Sequence, residues 1–173
     1  SVALIVASLD KAVHDRAAFD CGEPALDEFL KSKAAQHQAR RVSRTFVLTD
    51  SAQPRRILGY YSLSNSQIAR EQLSDEDAKA LPRHPVPAVR LARLAVGRSE
   101  QRQRLGQWLL MDVIKRCALV GQQSGVYALV VDAKNEAAKR FYERFGFVAI
   151  AGHPLVLYLP IETALRSVQA AQQ

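Results

Sequence analysis

The stretch Val89–Leu110, VRLARLAVGRSEQRQRLGQWLL, constrains the fold more than any other part of the chain. Its first part, Val89–Val96, is mostly aliphatic and lies between Pro87 and Gly97, which is typical of a buried strand. A helix is expected to begin near Leu105, because apolar residues then recur with a helical period: Leu105, Trp108, Leu109, Val113 and Cys117. We therefore expect a strand, a polar turn and a helix, with Trp108 in the core.

The turn between this strand and helix is Gln101-Arg102-Gln103-Arg104-Leu105-Gly106. A polar turn that opens a helix presents free backbone N–H groups and the positive end of the helix dipole. Such a turn suits an anion, and phosphate is the usual one. An ordinary charged connection between a strand and a helix is the alternative at this point.

Apolar spacing and turn residues predict the remaining elements. The predicted strands are Thr45–Thr49, Ile57–Ile68, Val126–Asp132, Phe147–Ile150 and Leu155–Leu159. The other predicted helices run from Asp20 to about Ala39, from Ser74 to about Leu81, over Asn135–Arg144 and over Ile161–Gln169. Pro82–Pro87 is expected to be a loop, because it contains three prolines. The order α, β-hairpin, α, β-α-β-α-β-β predicts a single α/β domain over residues 1–173, with a mixed sheet flanked by helices.

Composition limits the class of protein. A chain of 173 residues with 48% hydrophobic and 24% charged residues suits one soluble domain. No apolar run is long enough to cross a bilayer, and SVALIVASL lacks the basic leader of a signal peptide. Cys21 and Cys117 lie far apart, and the four histidines lack the spacing of metal ligands. We expect a cytoplasmic protein with reduced thiols and no metal.

Positive charge is clustered within a formal net charge of +7. No acidic residue occurs from Lys31 to Thr49, where five cations lie: Lys31, Lys33, Arg40, Arg41 and Arg44. Six arginines face the single acid Glu100 between Arg83 and Arg104. These blocks fit either a polyanion-binding surface or a charged surface that only aids solubility.

The segment NEAAKRFYERFGF, from Asn135 to Phe147, resembles the N-x-x-A-x-x-F-Y-x-x-x-G-F motif of the GNAT (GCN5-related) acetyltransferases. The turn from Gln101 to Gly106 is similar to the pyrophosphate loop of that family, Q/R-x-x-G-x-G/A, with Arg104 at a position where the family usually has glycine. Glycine lets the backbone approach phosphate without a Cβ, whereas arginine can pair with it. The resemblance implies a GNAT fold with a mostly antiparallel sheet, and acetyl-CoA as the donor.

The resemblance extends along nearly the whole chain. FDCGEPALDEFL, SRTFVLTD, GYYSLSN, HPVP, RLARLAVGR and AKRFYERFGF follow in the order seen in TacT-like toxins. These are GNAT enzymes of type II toxin–antitoxin modules, which acetylate the amino group of aminoacyl-tRNA and so block translation. The resemblance also implies a ribbon-helix-helix antitoxin and a homodimer.

The same resemblance implies roles for individual residues. Backbone groups of Leu94, Ala95 and Val96 would contact the acetyl carbonyl and pantetheine arm, and Asn135 would bond the pantetheine side. The turn would hold the pyrophosphate through Gln101, Arg102, Gln103, Arg104, Leu105 and Gly106. Tyr142 would protonate the leaving thiolate, since a phenol stays protonated at neutral pH. The alternative is that Tyr142 only fills the core, although Phe141 is expected to occupy that face.

The candidate tRNA contacts are the clustered cations. They are Lys31, Lys33, Arg40, Arg41 and Arg44 near the first helix, and Arg83, Arg90 and Arg93 further along. Arg93 lies in mid-strand and is expected to point toward a cleft. Such residues would contact phosphates without reading sequence, and an ordinary solvated charge is the alternative for each of them.

Two other functions remain open. A GNAT enzyme could acetylate a small amine or a protein amine, although a positive cleft would repel polyamines. A degenerate GNAT domain could instead bind nucleic acid or a partner without catalysis, which the arginines of the phosphate loop suggest.

Overall fold

The computed structural model describes residues 3–171, except for the side chains of Arg102 and Ala171. Seven strands form one sheet in the order β1-β2-β3-β4-β5-β7-β6. The strands are β1 Leu4–Ser8, β2 Arg44–Asp50, β3 Gly59–Ile68, β4 Val86–Val96, β5 Ala128–Asp132, β6 Val148–Ile150 and β7 His153–Pro160. The helices are α1 Pro24–Glu28, α2 Ala34–Ala39, α3 Asp75–Ala78, α4 Leu105–Gly121, α5 Glu136–Glu143 and α6 Ile161–Ala171. A π-helical segment, Phe29–Lys33, joins α1 to α2.

The chain divides into two compact units, and β3, β4 and α4 each contribute to both. The first unit comprises residues 3–64 and 92–111 of the described chain. In it, β1 pairs with β2 and β2 with β3, both antiparallel, with Val6 opposite Leu48 and Val47 opposite Tyr60. Its core is formed by buried apolar residues of the loop before α1, the π-helical segment and the strands, among them Phe19, Phe29, Leu30, Val47 and Tyr60.

The second unit comprises residues 65–91 and 112–171 of the described chain. Within it, β4 and β5 are parallel, with Leu91 opposite Val131, and α4 makes the crossover between them. Antiparallel pairing joins β5 to β7 and β7 to β6. The core of this unit includes Ile68, Val86, Val130 and Tyr158. The sheet is therefore mixed and mostly antiparallel, as predicted.

Helix α4 begins at Leu105, where the apolar spacing predicts it. Leu105, Leu109, Val113 and Cys117 are all buried, so the predicted stripe faces the core. Trp108 departs from the prediction, because 38% of its surface is exposed. The stripe is completed by Leu110 and Ile114, one residue after Leu109 and Val113, rather than by Trp108.

The structure differs from the sequence prediction at two other places. No strand was predicted at Leu4–Ser8, yet β1 forms the edge of the sheet there and pairs with β2. The predicted loop Pro82–Pro87 ends too late, because β4 already begins at Val86 and includes Pro87. Pro87 is tolerated because it precedes the first β4–β5 ladder pair, Ala88–Ala128, and contributes only its carbonyl, which accepts from the N–H of Tyr127 at 2.9 Å.

No helix within residues 3–171 combines the length and apolarity needed to cross a bilayer. Over the same described part of the chain, no cluster of three or more His, Cys, Asp or Glu side chains could hold a metal ion.

Candidate functional site

The last residues of β4 present backbone groups on one edge of the strand. A Cβ on Gly59 would lie 2.8 Å from the carbonyl oxygen of Ala95, so this glycine permits the close approach of β3. Gly97 donates its N–H to the carbonyl of Leu58 on the same side, at 2.9 Å. Because peptide groups alternate along a strand, the polar groups of Leu94 and Val96 face the opposite edge. Strand β5 ends at Asp132, whereas β4 continues past Leu91 to Val96.

A short turn connects this edge to α4. Arg98–Gln103 form a 3₁₀ helix, and Arg104 then adopts the left-handed conformation, with φ 57° and ψ 28°. Helix α4 begins at the next residue, Leu105. The N–H groups of its first turn have no acceptor within the helix and carry the positive end of its dipole. A turn that opens a helix in this way can hold an anion, and its role in binding pyrophosphate stays a prediction.

The side chains of the turn support it from inside. Gln101 donates through Nε2 to the carbonyls of Cys21, at 2.9 Å, and Val96, at 3.1 Å. Gln103 donates to Oε2 of the buried Glu100 at 3.2 Å. Both glutamine amides therefore stabilise the loop, and the backbone and the exposed Arg104 are the groups left to contact a ligand. The Arg102 side chain lies outside the described part of the chain.

Asn135 and Tyr142 belong to the second unit, on α5. Asn135 is the N-cap of that helix, and its Oδ1 accepts a hydrogen bond from the N–H of Ala138 at 2.9 Å. The side-chain N–H₂ group is not needed for this cap and is the part of Asn135 that can donate to a ligand.

Tyr142, rather than Phe141, is the buried aromatic residue of α5, which reverses the prediction from the sequence. Only 6% of Tyr142 is exposed, and its ring packs edge-on against Phe147 with centroids 5.4 Å apart. Phe141 is half-buried and lies 5.7 Å from the guanidinium of Arg144. Ala138, Phe141 and Phe145 are each half-buried, so Tyr142 is the one fully buried side chain of α5.

The phenol of Tyr142 is held in its protonated form. Burial raises the pKa of Tyr142 far above its usual value, and the negative charge of Asp132 acts in the same direction. Asp132 itself forms an ion pair with Arg90 of β4. A buried phenol that keeps its proton at neutral pH can donate a hydrogen bond or a proton to negative charge that develops during a reaction.

Four of the eight predicted tRNA-binding cations lie along one helical run of the first unit or at its end. Lys31 and Lys33 are exposed in the π-helical segment, and Arg40 and Arg41 are exposed where α2 ends. Arg41 adopts φ 62°, and hydrogen bonds from Arg41 N–H to Gln38 and from Val42 N–H to His37 close the helix. Glycine is favoured at this position of the helix end, so an arginine there costs free energy.

The remaining predicted cations are already engaged or lie elsewhere. Arg44 is exposed and donates to the hydroxyl of Ser8 at 3.0 Å. The guanidinium of Arg93 lies 3.6 Å from the centroid of the Phe29 ring, so it packs on the first helix. Arg83 and Arg90 belong to the second unit, where Arg83 is exposed and Arg90 pairs with Asp132.

The sequence analysis assigns no role to three residues that shape this region: Gly59 beside the end of β4, and the pair of Arg56 and Glu100 at the turn. Arg56 forms an ion pair with Glu100 across 44 positions of sequence. A run of acid-poor sequence around Glu100 was the available signal, because a lone acid among six arginines is a candidate for a paired charge.

Comparison with known proteins assigns a domain family. Residues 14–156 match the family described as "Acetyltransferase (GNAT) domain". A "tRNA-acetylating toxin" of Mycobacterium tuberculosis is 35% identical over 150 residues, which cover 87% of this chain and 88% of that protein.

Solved structures of toxins share the fold. AtaT complexed with acetyl-methionyl-tRNAfMet is 30% identical, with a TM-score of 0.88 and coverage of 99% of this chain and 100% of that chain. A tyrosine-to-phenylalanine mutant of AtaT, bound to the C-terminus of the antitoxin AtaR and acetyl-CoA, is 28% identical. Its TM-score is 0.81, and the match covers 96% of this chain and 99% of that chain.

Proposed function

Because this chain belongs to the GNAT family of acetyl-CoA-dependent N-acetyltransferases, we propose that it acetylates the α-amino group of aminoacyl-tRNA and so blocks translation. The observation that carries the acetyl-CoA site is the edge of β4 beyond its last pair with β5, Leu91–Val131, which leads through the turn into the N-terminus of α4. The choice of aminoacyl-tRNA as acceptor follows the relatives, which include a tRNA-acetylating toxin and AtaT complexed with acetyl-methionyl-tRNAfMet.

Acetyl-CoA supplies an activated thioester, whose carbonyl carbon an amine can attack. The backbone groups of Leu94 and the N–H of Val96 would hold the pantetheine arm, and the N–H groups would polarise that carbonyl; the Val96 carbonyl accepts from Gln101, and the Ala95 carbonyl is directed toward Gly59. The first-turn N–H groups of α4 and the Arg104 guanidinium would hold the pyrophosphate. The side-chain amide N–H₂ of Asn135 would donate to the pantetheine arm.

Tyr142 would act as the general acid. As the new C–N bond forms and the C–S bond breaks, the sulfur leaves with the electron pair and takes the proton of the Tyr142 hydroxyl. Burial keeps the pKa of this phenol raised, so the proton is present when the thiolate develops. The proton lost by the amine then restores Tyr142 through solvent.

A strong general base is unnecessary in this scheme. An α-amino group has a pKa near ~8, so a fraction of it is already neutral at pH 7. We assign no carboxylate to proton abstraction.

The cations of the first unit would bind the tRNA backbone. Lys31, Lys33, Arg40 and Arg41 are exposed, and no acidic residue interrupts this part of the sequence. Phosphate contacts of this kind position a nucleic acid without reading its sequence. Four further arginines are proposed as tRNA contacts: Arg44 and Arg93 of the first unit, and Arg83 and Arg90 of the second. Arg90 pairs with Asp132 and Arg93 packs on Phe29, so we expect these two to contribute less.

Regulation would follow the toxin–antitoxin pattern. AtaT has been seen with the C-terminus of its antitoxin AtaR. We extend this to the present chain as binding by a ribbon-helix-helix antitoxin, whose acidic or apolar tail would oppose the basic surface. We also propose that the protein forms a homodimer and that it is located in the cytoplasm.

The decisive experiment offers acetyl-CoA with a labelled acetyl group to charged and uncharged tRNA. Label is expected only on charged tRNA, because only that form carries an α-amino group. Replacing Lys33, Arg40 and Arg41 with glutamine should raise the apparent KM for tRNA and flatten its salt dependence, since each phosphate contact adds to the salt slope. The acetyl-CoA affinity should not change.

Arg166→Gln is the matched control, because Arg166 is an exposed arginine on α6 of the second unit. Label on free amines or protein amines, with charged tRNA unlabelled, would favour the broader GNAT activity. Failure to bind acetyl-CoA or to transfer label would favour a degenerate binding domain.

A further inference from the structure

Glu100 is a buried acid inside the turn that precedes α4. Only 8% of the residue is exposed. Its Oε1 pairs with Nη2 of Arg56 and accepts the hydroxyl of Ser99 at 3.0 Å, and its Oε2 accepts Nε2 of Gln103 at 3.2 Å. A buried carboxylate needs such partners, because an unpaired charge away from water is costly.

These contacts fix the turn at both ends. The two carboxylate oxygens join Ser99 to Gln103, which are the second and last residues of the 3₁₀ segment. Arg56 adds an anchor from the connection between β2 and β3. Gln101, next to Glu100, binds the carbonyl of Val96, so the same turn is also tied to the end of β4.

The turn needs such support because its backbone is strained. Arg104 adopts a left-handed conformation that glycine accepts readily and arginine does not. The conformation therefore persists only if surrounding contacts enforce it. Glu100 is the buried centre of those contacts.

We propose that Glu100, anchored by Arg56, is a positioning residue for acetyl-CoA, which holds residues 98–104 in the conformation that presents the first-turn N–H groups of α4 to the pyrophosphate. This inference rests on the proposed function, since it requires acetyl-CoA to bind at this turn. Neither Glu100 nor Arg56 contacts the donor in this scheme. Both act on the fraction of molecules whose turn is already ordered, and the apparent Kd rises as that fraction falls.

The test is Glu100→Gln, which keeps the shape of the side chain and removes its charge. The Kd of acetyl-CoA, measured by calorimetry, and its KM should both rise on the order of tenfold, which corresponds to an ordered fraction of roughly one tenth. The kcat at saturating acetyl-CoA should stay within about twofold, because no catalytic group is altered. Far-UV circular dichroism of the unliganded variant should match that of the parent.

The control is Asp20→Asn, at the other ion pair of the same turn. Asp20 pairs with Arg98, but the two side chains are 60% and 67% exposed, so this pair contributes little. The Kd of this variant should equal that of the parent. A second pair of variants tests the anchor: Arg56→Met should weaken acetyl-CoA binding, and Arg56→Lys should restore part of it.

The outcomes separate this inference from the proposed function. If the parent chain binds acetyl-CoA and Glu100→Gln binds it equally well, the positioning role is overturned while the function stands. If Glu100→Gln does not fold, the Arg56 variants decide instead: an Arg56→Met variant that binds acetyl-CoA with the Kd of the parent overturns the positioning role. If the parent chain does not bind acetyl-CoA, the proposed function fails and this inference with it.

Discussion

Arg104 allows the backbone and the side chain of the phosphate turn to be tested separately. Arg104→Ala removes the guanidinium but keeps a Cβ in the left-handed conformation at φ 57°. Arg104→Gly removes both. Comparing the two variants therefore distinguishes what the charge contributes from what the backbone conformation costs.

The expected stability change follows from the backbone geometry. A residue with a Cβ pays about 1–2 kcal/mol in the left-handed region. Glycine avoids this cost but loses more conformational entropy on folding, which offsets about 0.5–1 kcal/mol of the gain. Arg104→Gly should therefore raise the free energy of unfolding by about 0.5–1 kcal/mol, which is roughly 1–4 °C in Tm for a chain of this size. Arg104→Ala should leave the Tm close to that of the parent.

The expected binding change follows from the lost charge. A hydrogen bond from a guanidinium to phosphate contributes about 1.5–3 kcal/mol, so the Kd of acetyl-CoA should rise on the order of tenfold to a hundredfold in the alanine variant. Titration calorimetry and thermal unfolding without ligand are the two assays. Tighter binding by Arg104→Ala would show that the side chain obstructs the donor. Equal Tm values for the glycine and alanine variants would refute the argument from backbone strain.

Two further predictions concern proton transfer and acid stability. Tyr142→Phe should leave acetyl-CoA binding intact and lower transfer by roughly 10²–10⁴ fold, the usual contribution of a general acid; an unchanged rate in single-turnover acetylation would exclude Tyr142 from that role. Burial lowers the pKa of His14, whose Nδ1 accepts the N–H of Asp10 at 3.0 Å, although Asp10 acts in the opposite direction. In the unfolded chain His14 takes up a proton near its ordinary pKa of about 6.5, whereas in the folded chain it does so only at lower pH. The free energy of unfolding should therefore fall as the pH drops through about 6.5. His14→Gln should flatten this dependence in urea unfolding at pH 5 and pH 7, and parallel curves for the two proteins would contradict the assignment.

The elements that the sequence predicted well have signals within a short stretch. Helix α4 and its start at Leu105 follow from apolar spacing, and α5 follows from its cap Asn135 and its motif. The turn between β4 and α4 was likewise visible, because its residue types are local. Strand β1 was missed because its stability comes from pairing with β2, some 40 residues away, and not from its own pattern.

Within the candidate site, local sequence failed where tertiary packing decides. Adjacent aromatic residues on a helix differ by about 100° in direction, so a small error in the buried face exchanged Tyr142 and Phe141. The pairing of Arg56 with Glu100 leaves no trace in spacing, because the two residues lie on different segments. The left-handed backbone of Arg104 could not be anticipated from arginine, which rarely adopts it.

The π-helical segment Phe29–Lys33 determines where the end of the first helix points. Its wide turn holds one residue more than an α-helical turn, as the bond from Ala34 N–H to the carbonyl of Phe29 records. Loss of one residue from this segment would restore a regular α-helix and rotate everything that follows by about 100°. The direction in which Arg40 and Arg41 point is therefore determined by the number of residues in the π-helical segment and not by the chemistry of the arginines. A variant of this chain that lacks one residue here would carry the same basic residues toward a different side of the first unit.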